Sequence, residues 1–240
     1  MIRRLLSLAA TFLPLALAAG PPWDKPPEDW TMEEVYRILR DSPWSPSKSS
    51  LDVKWTQLHR DPLTRMARDT PDPSPQDTLA RVDFARAHPL PSVTVLWRSA
   101  KTIRLAEIRR IAAQGGQSPK LEAGELPDYV LSVEGDEPLR ILRDALEDLH
   151  DTVFLELENG GTLDFTTVGF LEGPEAESVR TEFHFPRARD GQPAIDPESE
   201  RVVFHCRATA KKEMAGRGNA LAFRVEFNPR VMKARGTSDL

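Results

Sequence analysis

Cysteine is almost missing from these 240 residues: Cys206 is the only one. An intramolecular disulfide is therefore impossible, and packing alone must hold the fold. Basic charge is not in excess either, with 32 Lys and Arg against 37 Asp and Glu. That balance argues against nucleic acid or an anionic lipid surface as the main partner, since both call for a basic patch. No stretch after residue 20 approaches the ~20 consecutive apolar residues of a membrane-spanning helix. Catalytic signatures are missing too. No G-x-S-x-G elbow is present, and Ser99 lacks the flanking glycines such a turn requires, so it reads as a helix cap. Gly216-Arg217-Gly218-Asn219 falls between two expected strands and reads as a turn, not a phosphate cradle. Glu134-Gly135-Asp136-Glu137 lacks the spaced oxygen ligands of a calcium loop.

What is present begins at the N-terminus. Arg3 and Arg4 precede an apolar run from Leu5 to Leu17, and small residues follow in Ala18-Ala19-Gly20. A basic start, a short apolar run and a small-residue site predict a secretory signal peptide over 1–20. The expected mature protein is exported, periplasmic or extracellular, and soluble. Loss of Arg3 and Arg4 takes the formal charge from −5 to −7. Proline, 21 residues in all, crowds the region before residue 92. Each proline removes a backbone donor and fixes φ, so 21–91 reads as an extended arm with embedded elements. Four of the five tryptophans, Trp23, Trp30, Trp44 and Trp55, lie in that arm.

Within the arm, Thr31 and Glu34 form a capping box ahead of the apolar stripe Val35, Ile38 and Leu39. Leu51, Val53 and Trp55 alternate as a short strand, and 60–91 is polar, proline-interrupted and expected to be flexible. From 92 onward strands and helices alternate. Val93–Trp97 reads as a strand and Ala100–Gln114 as a helix stopped by Gly115-Gly116. Tyr129–Val133 is the second strand, Pro138–His150 a helix carrying Leu139, Leu142, Leu146 and Leu149, and Val153–Leu157 the third strand. After a hairpin at Asn159-Gly160-Gly161 the chain is all strand, with a parity slip at Thr166-Thr167 that predicts a bulge or bend. The expected fold class is α+β: a β-α-β-α-β unit continuing into an antiparallel meander, with two helices on one face of the sheet, preceded by the Pro/Trp-rich arm. The expected boundaries are 1–20, 21–91 and 92–240.

The path from Trp30-Thr31 to Asp41-Ser42-Pro43-Trp44 resembles a segment of a group of exported bacterial proteins. In that group a proline-rich start leads through a W-T/S helix into D-S-P-W. Trp97-Arg98-Ser99-Ala100 with Ile103-Arg104 and Ala106, and Phe185-Pro186-Arg187, are similar to later landmarks of the same group. The resemblance implies export and a shared fold, and it transfers no activity, cofactor or catalytic residue.

Candidate chemistry reduces to a few residues. His184 and His205 fall on the polar faces of adjacent expected strands, where matching apolar faces set His205 opposite either Glu182 or His184. Two imidazoles and one carboxylate fall short of a usual zinc set, so neither metal nor cofactor is expected. Cys206 shares the parity of Val202 and Phe204 and reads as a small core residue. The arm tryptophans are the expected partner-binding residues, docking on the protein's own core or on another envelope protein. Three functional readings stand. The first is a non-catalytic interaction or binding domain of the cell envelope. The second is a hydrolase, metal-dependent if so, with a site near His184 and His205. The third is a solute-binding domain with its pocket between the arm and the sheet.

Overall fold

A computed structural model describes residues 20–46, 52–56, 92–115, 124–172, 179–209 and 220–240, with the backbone alone for 52–56, 137–138 and 172. Residues 1–19 of the expected signal segment, His59, His88, the 60–91 stretch and the expected turn at 216–219 lie outside the described residues.

Helix α1 (Met32–Arg40) opens with the expected capping box: Glu34 N–H donates to Thr31 Oγ1 at 3.2 Å, and Thr31 N–H donates to Glu34 Oε2 at 3.0 Å. Val35, Ile38 and Leu39 are buried. The D-S-P-W block ends the helix for identifiable reasons. Proline cannot continue it, while Ser42 Oγ donates to Ile38 O (2.6 Å) and Ser45 Oγ to Leu39 O (2.9 Å), satisfying two terminal carbonyls. Trp44 is then driven fully into the core, where Trp97 N–H donates to its carbonyl at 2.7 Å.

The fold class is α+β, with every described strand pairing antiparallel. The strands are β1 (Asp52–Thr56), β2 (Val93–Trp97), β3 (Asp128–Gly135), β4 (Val153–Leu157), β5 (Thr162–Asp164), β6 (Thr167–Glu172), β7 (Val179–Pro186), β8 (Ala188–Arg189), β9 (Gln192–Pro193), β10 (Val202–Thr209), β11 (Ala220–Phe227), β12 (Lys233–Ala234) and β13 (Thr237–Ser238). They build not one sheet but two: a four-stranded sheet in the order β2-β3-β7-β6 and a five-stranded sheet in the order β1-β11-β10-β4-β5, with β8–β9 and β12–β13 as small ribbons. The apolar faces of the two sheets meet. Phe204 of β10 lies 5.8 Å from Phe183 and 6.3 Å from Phe185 of β7, ring centre to ring centre. The parity slip at Thr166-Thr167 is where the chain leaves one sheet for the other. Phe165 at that crossing is buried against Phe183 (5.3 Å), so the bend is held by aromatic packing.

Helix α2 (Lys101–Ala113) buries its first two turns through Thr102, Ile103, Leu105, Ala106 and Glu107, and α1 packs along it. Gly115, at φ 77°, supplies the left-handed residue that ends it. Ser99 does not cap this helix. The cap comes from Asp239, whose carboxylate accepts from Lys101 N–H (2.7 Å) and Thr102 N–H (2.8 Å). The expected helix over 138–150 is broken into a 3-10 turn (Glu137–Arg140), one helical turn α3 (Ile141–Asp144) and a second 3-10 turn (Leu146–Asp151). Its buried set is Leu139, Ile141, Leu142, Ala145 and Leu149, while Leu146 is exposed. Three-residue spacing from Leu139 to Ala145 suits the three residues per turn of 3-10 geometry better than α-helix. This segment packs on β7, β10 and β4, so it is not the second helix on the face where α2 lies.

Candidate ligand-binding cleft

The sheet division decides the histidine site. In β7 the odd residues Phe183 and Phe185 face the opposite sheet, which turns His184 and Glu182 outward. In β10 it is Phe204 and Cys206 that face inward, and His205 that faces out. The strands belong to different sheets, so the two imidazoles lie on opposite outer surfaces of the stack and cannot share a metal. The register confirms the separation: His184 pairs with Val130 and Thr167, and His205 with Phe154 and Arg224. Each has its own carboxylate. His205 Nε2 is 2.9 Å from Glu156 Oε2, while its ring stacks on Phe154 at 4.8 Å; His184 Nδ1 is 3.6 Å from Asp128 Oδ2. Glu182 serves neither, pairing with Arg98 (2.9 Å) and Arg180 (3.3 Å). Among the described residues no three metal-ligating side chains converge. Cys206 is buried, and burial pushes its thiol well above the ordinary range, which removes the thiolate a nucleophile needs.

The outer face of the four-stranded sheet carries a charged cluster under α2. Arg98, at the end of β2, joins Glu107 of α2, Glu182 of β7 and Glu134 of β3. Burial holds the Glu134 carboxyl above the usual range despite Arg98, and Ser132 Oγ donates to it at 3.1 Å. Every charge in this cluster has a partner, and its role is to seat α2 on the sheet.

The arm tryptophans give a different result. Trp44 Nε1 donates to Asp239 O at 2.6 Å, and Trp23 lies edge-on to Trp44 with ring centres 5.5 Å apart. Trp30, also buried, donates its indole N–H to Pro22 O at 2.7 Å, while Arg109 of α2 donates to the Trp30 carbonyl at 3.0 Å. The side chain of Trp55 lies outside the described residues. Two of the four expected partner-binding tryptophans, Trp30 and Trp44, are thus committed to the core, and Trp23 remains half-exposed above them.

Trp23 and the edge of Trp30 form one wall of a cleft of about 460 Å³. Lys25 and Pro27 complete that wall, Lys101, Thr102 and Leu105 of α2 form the second, and the β12–β13 hairpin with Asp239 forms the third. Three segments distant in the sequence meet here because Asp239 reaches α2, Trp44 reaches Asp239, and Arg235 N–H donates to Asp24 Oδ1 at 3.2 Å. The hairpin turns on Arg235 (φ 52°) and Gly236 (φ 76°), both left-handed, as a two-residue type I′ turn demands. Lys25 is bound to Glu34. With Lys25 paired, Lys101 and Arg235 outnumber the Asp239 carboxylate, so the charge left on the cleft is positive on a chain of net −5. A shallower hollow of about 340 Å³ lies on the outer face of the five-stranded sheet, beside Phe154, His205 and Arg224.

Sequence reasoning reached Trp23 and Trp30 through composition but missed Lys101, Arg235 and Asp239. Gly236 flanked by short polar pairs was the one available signal for the hairpin. No protein-family model, curated protein or solved structure matches this chain. No helix among the described residues is long and apolar enough to cross a membrane.

Proposed function

We propose that this is an exported, non-catalytic binding domain that takes a small solute in the cleft between arm, α2 and C-terminal hairpin. One observation carries the reading: a concavity of about 460 Å³, within the range of small-ligand sites, walled partly by tryptophan and proline and partly by cations and hydroxyls. The arm supports it by contributing one of the three walls while anchored through two buried indoles, so the concavity is preformed. Export rests on the basic, apolar and small-residue pattern of 1–20. Secreted protein should begin near Ala18 or Gly20 on N-terminal sequencing; protein that starts at Met1 contradicts export.

Thermal-shift measurements on the mature chain against a panel of sugars, amino acids, organic acids and amphiphiles test the binding reading. Ala234→Trp adds bulk to the cleft at a partly buried hairpin position that packs on the edge of the core, and its melting temperature without ligand checks that the fold is kept. At least one member should stabilise the natural chain and leave Ala234→Trp unaffected. A panel without effect, or equal shifts in both proteins, overturns the reading.

A further inference from the structure

We propose that the cleft's ligand class is a small amphiphile bearing one carboxylate, its head held by Lys101 and Arg235 and its apolar body lying over Trp23, Pro27 and Leu105. This rests on the binding reading above.

The cations carry the first part of the inference. Neither the Lys101 ammonium nor the Arg235 guanidinium has a carboxylate partner among the described residues, whereas Lys25 in the same cleft is bound to Glu34. The end of helix α2 is not itself the anion site, because the Asp239 carboxylate already accepts from its first two amides. What remains for a ligand is side-chain charge, with Thr102, Thr237 and Ser238 as neutral hydroxyl neighbours. Lys101 and Arg235 exceed the cleft's Asp239 carboxylate by one positive charge, which suits a monoanion. They do not form the repeated stripe that a polyanion needs.

Arg235 carries the second part. Its φ of 52° places an ordinary side chain in the left-handed region, at a turn position that Asn, Asp and Gly fill at lower cost. The comparable hairpin β8–β9 uses Asp190-Gly191 at the equivalent place, with φ of 54° and 76°. The fold therefore has a conventional solution for this turn, and the cleft carries a cation instead. Strain kept at a cavity rim is what a ligand contact explains.

Calorimetric titration of the mature chain with octanoate, octan-1-ol and acetate at low ionic strength separates head from body. Octanoate should bind saturably, at least tenfold more tightly than octan-1-ol, with acetate undetectable, and added salt should weaken it. Arg235→Asn should lower octanoate affinity about tenfold, as loss of a charge-assisted contact does, while its melting temperature is no lower than that of the natural chain. Lys101→Gln should act in the same direction. Equal affinity for octanoate and octan-1-ol, both unaffected by Arg235→Asn but lost in Ala234→Trp, overturns the carboxylate head and leaves the cleft as a binding site. Octanoate binding that survives Ala234→Trp removes the cleft from the account altogether. No octanoate binding by a natively melting chain also overturns the proposal, and the wider panel then decides the binding reading separately.

Discussion

Replacing Asp239 by Ala should weaken the fold through a helix that begins 138 residues earlier. Helix α2 has Ala100 at its N-cap position and no side-chain cap of its own, so its first amides depend on the Asp239 carboxylate. The substitution spares the rest of the local network, since Asp239 N–H still donates to Met232 O (2.9 Å) and the Asp239 carbonyl still accepts from Trp44 Nε1. Loss of an N-cap costs about 1 kcal/mol and up to ~2. Loss of negative charge at the positive end of the helix dipole falls within or slightly above that range. For a chain of this length, each kcal/mol moves the midpoint by about 2–4 °C, so Asp239→Ala should melt roughly 2–8 °C lower. Asp239→Asn retains an acceptor oxygen and a residue favoured at caps, and should recover most of the loss. Urea unfolding gives the free energy, and amide exchange gives the place: Lys101 and Thr102 should lose protection while the centre of α2 keeps it. An unchanged urea midpoint, or Lys101 and Thr102 amides as protected as before, would refute the cap.

Other substitutions probe other links. Trp44→Ala, which empties a fully buried indole site and strips its hydrogen bond to Asp239 O, should cost about 3–5 kcal/mol by chemical denaturation. A cost under ~1 kcal/mol would mean the arm is not part of the core. Cys206 should resist thiol reagents at neutral pH until the chain unfolds, because burial suppresses its thiolate; rapid native labelling would contradict its place between the sheets. His184→Ala with His205→Ala should change stability little and leave zinc content unaltered, each ring being a half-exposed partner of one carboxylate. Glu134→Gln tests burial against pairing. The folded carboxyl titrates above its ordinary 4.5, so the protonated form favours the fold: that contribution is complete below pH 4.5 and is lost as pH rises through the higher folded value. The variant should therefore match or exceed the natural chain in stability at pH 7 and lose that advantage toward pH 4; a deficit at pH 7 would show that Arg98 outweighs desolvation.

Local chemistry was legible where it is local. Thr31 and Glu34 announce a helix start because both partners of the capping box lie within one turn. Asn159-Gly160-Gly161 announces a hairpin because positive φ is a property of single residues; Gly160 has φ 78° and β4 pairs with β5 across it. Strand parity was equally legible, with Phe183, Phe185, Phe204 and Cys206 all inward as alternation requires. Which sheet a strand joins was not. An alternating strand buries one face equally well against helices or against a second sheet, so His184 and His205 looked like neighbours when they are on opposite surfaces. Leu139, Leu142 and Leu146 fit a helical stripe in sequence, and only the choice of Ala145 over Leu146 for burial exposes the tighter winding. At the cleft, tryptophan declared itself by rarity. Lys101, Arg235 and Asp239 are common residue types whose meaning comes from contacts across more than a hundred positions, which no periodicity records.

The distance between Asp239 and α2 also shapes how this molecule acquires its structure. Strand β1 finds its partner in Arg224 to Ala220, α2 its cap in residue 239, and Trp44 its acceptor in the same residue. A ribosome that has delivered the first two hundred residues has not yet supplied any of these closing contacts. Non-local contacts of this kind slow folding, because the entropy of joining distant segments must be met before the contacts form. The residues around 220–240 therefore act as a latch that closes only once nearly the whole chain has been made.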